Sequence, residues 1–559
     1  MRLEAKVVSA CLAFSFAIWL IVITQVRIYN YAADSLWYMK DLPLSFWAGL
    51  ALTLVLAFWY LGRVKAKAIG FDLCFVFLLT LYLFGTMCFV AKNPYFLDIY
   101  SHASEVKFVE KTGSISSVVV SPHLDTPGVY IFFAMLSSIT GTGFFESYVV
   151  RYYPIFLVAT LSVFVYIIAR RFSLSKKALS APITFLSFAF FLEFHISRQS
   201  FSLILFSILL LSIFALSKSR RIQWAIVFVV ASISSVISHP AMPIVFSTGL
   251  ASLLIFYNLP WSRSVGTSGM YKPKTLGMFL VFGIMIYLCW SVFFPQSFFW
   301  LSYRTYFLKS ALENLFGNRL ATMPALVQNP THEFATIILT REALLLLEEA
   351  VGILSMIILW LNNVRTRTLL LGAFVLGFLP LQALLFFGHS DFGRISLFAL
   401  FPISILCALS FETLTKSRKQ TMFLTFLAIM LVVSMVLFPI SGYGGNFPFE
   451  CPSTSELSVV QFVNASLPRG ALITGLHHYG MFQEEQLSRS VVFFDSWIEP
   501  NGTLSVPENC DLMILNLEYN YFKLRFGTSA KYEELERIGL SSYNKVCDSG
   551  LGRFYEPNN

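Results

Sequence analysis

Charge is what this sequence has least of. Asp, Glu, Lys and Arg make up 13% of its 559 residues, against about 25% in a soluble globular protein, and that scarcity excludes an ordinary water-soluble enzyme. Several chemical signatures are missing as well. There is no Gly-rich phosphate loop, no Cys-x-x-Cys pair, no His-Glu-x-x-His and no Gly-x-Ser-x-Gly, so nucleotide-fuelled transport, zinc hydrolysis and serine esterase chemistry have no motif behind them. The 40 Lys and Arg outnumber the 31 Asp and Glu, which would point to nucleic acid only if the cations formed a patch on a folded surface. They fall instead between apolar runs, and no nucleic-acid partner is expected.

What the chain does have is apolar length. Apolar residues are 56% of the total, mean hydropathy is +0.69, and runs near the roughly 20 residues that span a bilayer recur throughout. Bounded by charges and helix breakers, these runs predict about thirteen membrane helices, near 6–27, 45–62, 71–91, 150–170, 179–194, 199–217, 222–238, 240–258, 275–297, 343–361, 368–388, 394–411 and 420–440. The run over 127–142 is too short to cross and reads as a juxtamembrane or re-entrant helix, with Pro127 suited to its first turn. The fold class is therefore an all-α polytopic membrane protein.

Alternate connections collect the cations: Arg2 and Lys6; Arg63, Lys65 and Lys67; Arg170, Arg171, Lys176 and Lys177; Lys218, Arg220 and Arg221; Arg263, Lys272 and Lys274; Arg365 and Arg367; Lys416, Arg418 and Lys419. Only Glu4 and Glu412 oppose them there, the asymmetry expected of cytoplasmic loops. One topology satisfies all seven clusters, with a cytoplasmic N-terminus and an extracytoplasmic C-terminus in the cell membrane. The first apolar run is long enough to span and lacks a small-residue cleavage site, so no cleavable signal is expected.

Three long segments then face outward: 92–149, 298–342 and the tail from Ser441. The membrane domain takes residues 1–440, and 441–559 reads as a small soluble α/β domain. Within it a capped helix is expected at Thr454 to Leu467, strands in ALITG, SVVFFDSW and DLMILNL, a helix at Tyr532 to Ile538 and a hairpin from Tyr543 to Tyr555. Cys451, Cys510 and Cys547 lie here and allow one disulfide whose pairing is not readable; Cys11, Cys74, Cys88, Cys289 and Cys407 lie in apolar runs. Two sequons, at Asn464 and Asn501, agree with an outward domain.

Chemistry is sought at the outer helix ends. Asp98, His102 and Glu105 are spaced i, i+4, i+7 and so share one helical face. That face could offer a carboxylate base or metal ligands to a cavity, or simply show its polar side to water. His123 and Asp125 follow, just before the short outer helix. FLEFHISRQSFS sets Glu193, His195 and Arg198 at another outer end, either as a site or as a snorkelling cluster. His239 reads as a helix-start residue. A phosphate would need arginine, and Arg394, in the short turn FFGHSDFGR with His389 and Asp391, is the first candidate; there the plain alternative is that Asp391 caps the next helix and Arg394 snorkels. Arg304, Arg198, Arg319 and Arg341 are the others. Glu348 and Glu349, inside an apolar stretch, mark either a cavity wall or a misplaced helix start.

The order of these features resembles the GT-C superfamily of membrane glycosyltransferases: an acid soon after an early membrane helix, a polar-proline step into a short outer helix, then an Arg-led membrane helix from Arg151 to Arg171. The resemblance covers about residues 90–240 well and the tail loosely. It implies transfer of a sugar from a polyprenyl- or dolichyl-phosphate donor to a glycan or protein acceptor on the outer face. Asp98 would be the catalytic base or metal ligand and Glu193 the second acid. His102, Glu105, Asp125 and His195 would support the acceptor or a metal, and Arg394, Arg304 and Arg198 the donor phosphate. A divalent cation, Mg or Mn, is the one cofactor so implied, with Asp98 and His102 as ligands. Two additional helices, 6–27 and 45–62, and the lack of an adjacent Asp-Glu pair at Asp98 depart from the pattern. The rival class is a transporter or flippase of polyprenyl-linked saccharides, which would place ionisable groups at the bilayer midplane and show internal repeats; a membrane-anchored scaffold would need no polar cluster in the first loop.

Overall fold

The computed structural model describes residues 2–26, 41–63, 68–91, 98–115, 126–141, 148–172, 177–192, 195–219, 221–239, 241–258, 273–293, 309, 332–362, 364, 371–372, 374–378, 393–413, 418–438, 454–466, 472–475, 492–495, 497–498, 504–505, 510–515, 530–549 and 552–557. Apolar sequence on this scale folds as helices because a bilayer offers no partner for backbone N–H and C=O groups, and the helix satisfies them internally. Among the described residues eight helices are long and apolar enough to cross a membrane: Glu4–Gln25, Leu44–Gly62, Ile69–Val90, Val150–Arg171, Arg198–Leu216, Lys274–Val292, Leu339–Leu361 and Ile395–Thr413. The protein is a multi-pass membrane protein with a helical membrane part and a small α/β part near the C-terminus.

In chain order the helices before the C-terminal part are α1 (Arg2–Gln25), α2 (Leu44–Arg63), α3 (Ile69–Val90), α4 (Asp98–Thr112), α5 (Gly128–Thr140), α6 (Tyr148–Arg171), α7 (Ser180–Phe188), α8 (Arg198–Ser219), α9 (Ile222–Ser238), α10 (Met242–Asn258), α11 (Pro273–Phe293), α12 (His332–Leu361), α13 (Gly393–Thr413) and α14 (Arg418–Phe438). Several differ from expectation. The run expected to span 179–194 is the short α7, whose residues are all buried, ended by a 3-10 turn at Ala189–Phe191. A broken helix at that depth is tolerated because protein surrounds it, and the break turns the chain into the segment carrying His195. The helices α9 and α10 have 17 residues each. The helix α12 begins at His332 rather than near 343, so Glu348 lies well inside it and is buried. Of the expected span 368–388 only 371–372 and 374–378 are described, as helix.

The helix α3 contains one π turn, Leu81–Gly85, all of it buried. Widening to i→i+5 spacing loosens the local carbonyls, and Trp19 supplies a donor: its Nε1–H reaches Leu81 O at 3.1 Å. Tyr82 Oη donates to Ser15 O at 2.8 Å. Glycine at residue 49 leaves room for that hydroxyl, which a Cβ would meet. At the far end of α3, Arg151 donates from Nε to Cys88 O (2.8 Å) and from Nη2 to Phe89 O (3.0 Å), so a cation closes the C-terminal carbonyls. The bundle centre is aromatic: Phe206 of α8 packs against Phe246, Phe378, Phe398 and Phe401.

Near the C-terminus, α15 (Thr454–Ser466) precedes β1 (Leu472–Gly475), β2 (Val492–Asp495), β3 (Trp497–Ile498), β4 (Leu504–Ser505), β5 (Asp511–Leu515), α16 (Ala530–Ser542), β6 (Tyr543–Asp548) and β7 (Gly552–Pro557). The main sheet has the order β2-β1-β5-β7-β6. Its β2-β1-β5 half is parallel and its β5-β7-β6 half antiparallel. The expected strand SVVFFDSW is two strands, β2 and β3, the second pairing with β4 in a separate ribbon. Cys510 and Cys547 carry free thiols, and Cys451 lies outside the described residues.

Candidate functional site

The site is built on α4 and α5, two helices too short to cross the bilayer, and on the turn between α7 and α8. The 15 residues of α4 open at Asp98, which places His102 one turn and Glu105 two turns further on. A solvated polar face would leave these side chains wet. Both are buried, His102 at 9% exposure and Glu105 at 1%, so the plain surface-helix reading of this face is overturned. The reason lies across the groove. Tyr130 of α5 bonds His102 Nδ1 through its hydroxyl at 2.9 Å, and the His195 ring stacks on that of His102 with centroids 5.6 Å apart and planes at 15°. Glu105 Oε2 stands 3.9 Å from His102 Nδ1, an ion pair whenever the imidazole is protonated. Lower on the same helix pair, Ser137 Oγ donates to Glu110 Oε1 at 3.0 Å.

The start of α5 is held tightly. Pro127 is the residue before the helix rather than its first member, and Ile131 N bonds Pro127 O at 2.9 Å. A Cβ on Gly128 would run into Ser238 Oγ and lie 3.2 Å from Ser238 Cα, so glycine lets α5 begin against the end of α9 without displacing it. Arg198 Nη1 donates to Thr126 Oγ1 at 3.0 Å. The half-buried Arg198, expected among the phosphate ligands, thus ties the lead-in of α5 to the first turn of α8.

That first turn has a cap that motif reading passed over. Ser200 N donates to Ser197 Oγ and Ser197 N to Ser200 Oγ, each at 3.0 Å, a reciprocal pair with serine in the place usually held by Glu or Gln. Between them sits Gln199, also missed, at 3% exposure. Neither its Oε1 nor its Nε2 has a hydrogen-bond partner among the described residues. Burying an unpaired amide costs about 1–3 kcal/mol, which marks this as a place where a ligand could supply the missing bonds. The local signal was a lone polar residue leading an otherwise apolar helical stripe: Gln199, Leu203 and Phe206 share a face by their spacing, and Leu203 and Phe206 are buried.

Other candidates resolve as follows. His239 caps α10, accepting from Ala241 N at 3.1 Å and Met242 N at 3.3 Å through Nδ1. Arg341 and Glu349 lie on α12. Asp98 and Arg394 open α4 and occupy the first turn of α13, and their side chains fall outside the description. Glu193, His123, Asp125, Arg304, Arg319, His389 and Asp391 also lie outside the described residues. What is brought together is the α4 face and the 195–199 turn, some ninety residues apart in sequence. Among the described residues no three His, Cys, Asp or Glu side chains are grouped to hold a metal ion. His102 Nδ1 is engaged by Tyr130, and hard cations such as Mg and Mn favour oxygen ligands over imidazole.

No family model and no curated relative matches the chain. Solved structures with a similar course include the archaeal oligosaccharyltransferase AglB from Archaeoglobus fulgidus, in complex with an inhibitory peptide and a dolichol-phosphate, at 11% identity, 87% of this chain, 74% of that one and a TM-score of 0.48. ArnT from Cupriavidus metallidurans bound to undecaprenyl phosphate is similar at 10% identity, over 92% of this chain and 97% of its own, with a TM-score of 0.49. The apo state of ArnT is similar at 10% identity over 85% and 97%, with a TM-score of 0.46.

Proposed function

We propose that the protein is a membrane glycosyltransferase that moves a sugar from a polyprenyl- or dolichyl-phosphate donor to a glycan or protein acceptor on the outer face of the cell membrane. The observation that carries this reading is the buried polar cluster of His102, Glu105, Tyr130 and His195 under a short helix pair at one end of an apolar bundle. Polar groups kept away from water cost free energy unless they are paired, and ionisable groups enclosed in a membrane protein are by default candidates for function.

In the proposed reaction Asp98, one turn before His102, takes the proton of the acceptor group, whose freed electron pair forms the new bond to the anomeric carbon. The bond from that carbon to the donor phosphate oxygen breaks, and the lipid phosphate leaves with its electrons. Arg394, four and seven residues before Phe398 and Phe401, which pack on Phe206, would meet that phosphate. The His102–Glu105 pair would hold the first turns of α4 in register, with Glu193 as the second acid.

The test is transfer by purified Asp98→Asn. A loss of at least about a hundredfold, the contribution usual for a positioned acid or base, supports the assignment; a near-parental rate removes Asp98 from the chemistry. Arg394→Lys should weaken donor binding and Arg394→Ala should weaken it further, with acceptor affinity unchanged.

A second reading, a transporter or flippase of polyprenyl-linked saccharides, draws on Glu348. This carboxyl lies near the middle of the span Leu339–Leu361, is 1% exposed, and its Oε1 has no hydrogen-bond partner among the described residues. Movement of labelled lipid-linked sugar across proteoliposomes, abolished by Glu348→Gln while Asp98→Asn is silent, would favour it.

A further inference from the structure

The end of the bundle opposite the polar cluster carries a different kind of cavity. It measures about 440 Å³, within the ~300–1,000 Å³ typical of small-molecule sites, and opens between α3 and α6. Its walls are Ile69, Leu73, Val163 and Ile167, with the ring of Tyr166, and Arg170 and Arg171 close one end. Ile69 and Ile167 are exposed, at 49% and 37%, so the apolar wall is continuous with the surface that meets lipid. The Tyr166 hydroxyl donates to the buried Asp72 Oδ2 at 2.6 Å and also meets the Arg170 side chain, which fixes that guanidinium at the rim, while the Tyr166 ring serves as wall.

The two arginines are held in place by aromatic rings. Arg170 Cζ lies 5.8 Å from the Tyr166 ring and Arg171 Cζ 5.5 Å from that of Trp224. Among the described residues no carboxylate lines the cavity, and the buried Asp72 lies one hydrogen bond behind it, through Tyr166. Both cations also stand at the C-terminus of α6, where a helix dipole alone would favour them. That explanation accounts for the charges and leaves the apolar cleft beneath them without a role. Twenty residues of α6 separate Arg151, beside the outer helix ends, from Arg171, about 30 Å at 1.5 Å per residue. The cleft is therefore one bilayer core away from the proposed catalytic cluster and independent of it.

We propose that this cleft binds an anionic glycerophospholipid of the leaflet that faces the basic loops. The phosphodiester would rest on Arg170 and Arg171, and one acyl chain would lie along Ile69, Leu73, Val163 and Ile167. A basic pocket between membrane helices on the cytoplasmic side suits a lipid headgroup, with arginine favoured for its planar fork. Charge complementarity selects an anionic lipid over a zwitterionic one, and the length of apolar wall selects a lipid over free phosphate.

The experiment uses the full-length protein in a mild detergent, delipidated and titrated separately with phosphatidylglycerol and phosphatidylcholine, with retained lipid counted by native mass spectrometry. Parent protein should retain one phosphatidylglycerol at least about tenfold more tightly than phosphatidylcholine. The double variant Arg170→Gln/Arg171→Gln should lose that preference. Ile167→Trp, which keeps both charges and fills the cleft, should lose retention as well; the melting temperature of each variant without lipid reports folding. Equal retention of the two lipids by the parent, or parental retention by Ile167→Trp, overturns the proposal. Displacement of phosphatidylglycerol by inorganic phosphate, or by polyprenyl phosphate at far lower concentration, overturns the choice of lipid.

Discussion

The imidazole of His102 lies stacked on that of His195, ring centroids 5.6 Å apart. The contact joins a helix that never crosses the bilayer to the turn where one buried helix breaks and the next begins. Each ring has a second anchor on its own side: His102 through Tyr130 Oη, and the His195 turn through the Ser197–Ser200 cap and the bond from Arg198 to Thr126.

A double-mutant cycle reads this contact directly. His102→Ala and His195→Ala should each destabilise the protein, and the pair should fall short of additivity by about 0.5–1.5 kcal/mol, the range for stacked aromatic pairs. Chemical unfolding in one detergent measures it. Strict additivity would mean that the rings touch without helping one another.

Gln199→Leu should move stability and activity in opposite directions. Replacing an unpaired buried amide with an apolar side chain of similar size should raise stability by about 1 kcal/mol or more, while the KM for the donor or the acceptor rises. A drop in stability would show that the amide has a partner in the resting protein.

Gly128→Ala should destabilise by about 1–3 kcal/mol, the usual cost of an inserted methyl in a packed contact, because its Cβ meets Ser238. Ser238→Ala removes the nearer atom, Oγ, and leaves Cα at 3.2 Å, so the double variant should recover part of the loss. No recovery at all would place the strain in the backbone of α9.

The C-terminal sheet carries a pH response of its own. Asp511 lies beside Glu556 in the β5–β7 register, and burial, then that neighbouring charge, raise its carboxyl from 3.8 to about 6. The folded state therefore holds a proton that the unfolded state has released. Its contribution is full below pH 3.8 and is lost as pH rises towards about 6. In the full-length protein, hydrogen exchange across 511–515 should quicken, after correction for intrinsic rates, over that window. Asp511→Asn should flatten the response. An unchanged profile in the variant would assign the response to another group.

Much of this architecture is legible in the residues. Long apolar runs and basic loops mark α1, α2, α6, α8 and α13 because bilayer thickness fixes span length, and DLMILNL and the CDSGLG hairpin mark β5, β6 and β7 through strand alternation and turn chemistry. The i, i+4, i+7 spacing of Asp98, His102 and Glu105 fits the single helix α4, on which His102 and Glu105 are buried. What spacing does not contain is the surroundings of that face: whether it meets water or Tyr130 and His195 depends on where α5 begins and α7 ends. The shortness of α7 is hidden for a related reason, since the apolar run continues past Phe188 and a break there is tolerated only where protein surrounds it. Gln199 had no motif to announce it; its meaning comes from burial.

The π turn in α3 holds one residue more per turn than the helix on either side of it, with Trp19 bonded to the carbonyl it loosens. Beyond it, every side chain and carbonyl up to Val90 is rotated by roughly 100° relative to an unbroken α-helix, one residue's share of a 3.6-residue turn. The carbonyls of Cys88 and Phe89 meet Arg151 only in that rotated frame. The turn therefore acts as a register key: a single-residue deletion within 81–85 would keep the hydropathy of the span and its helical character, yet swing the carbonyls of its C-terminal end away from Arg151.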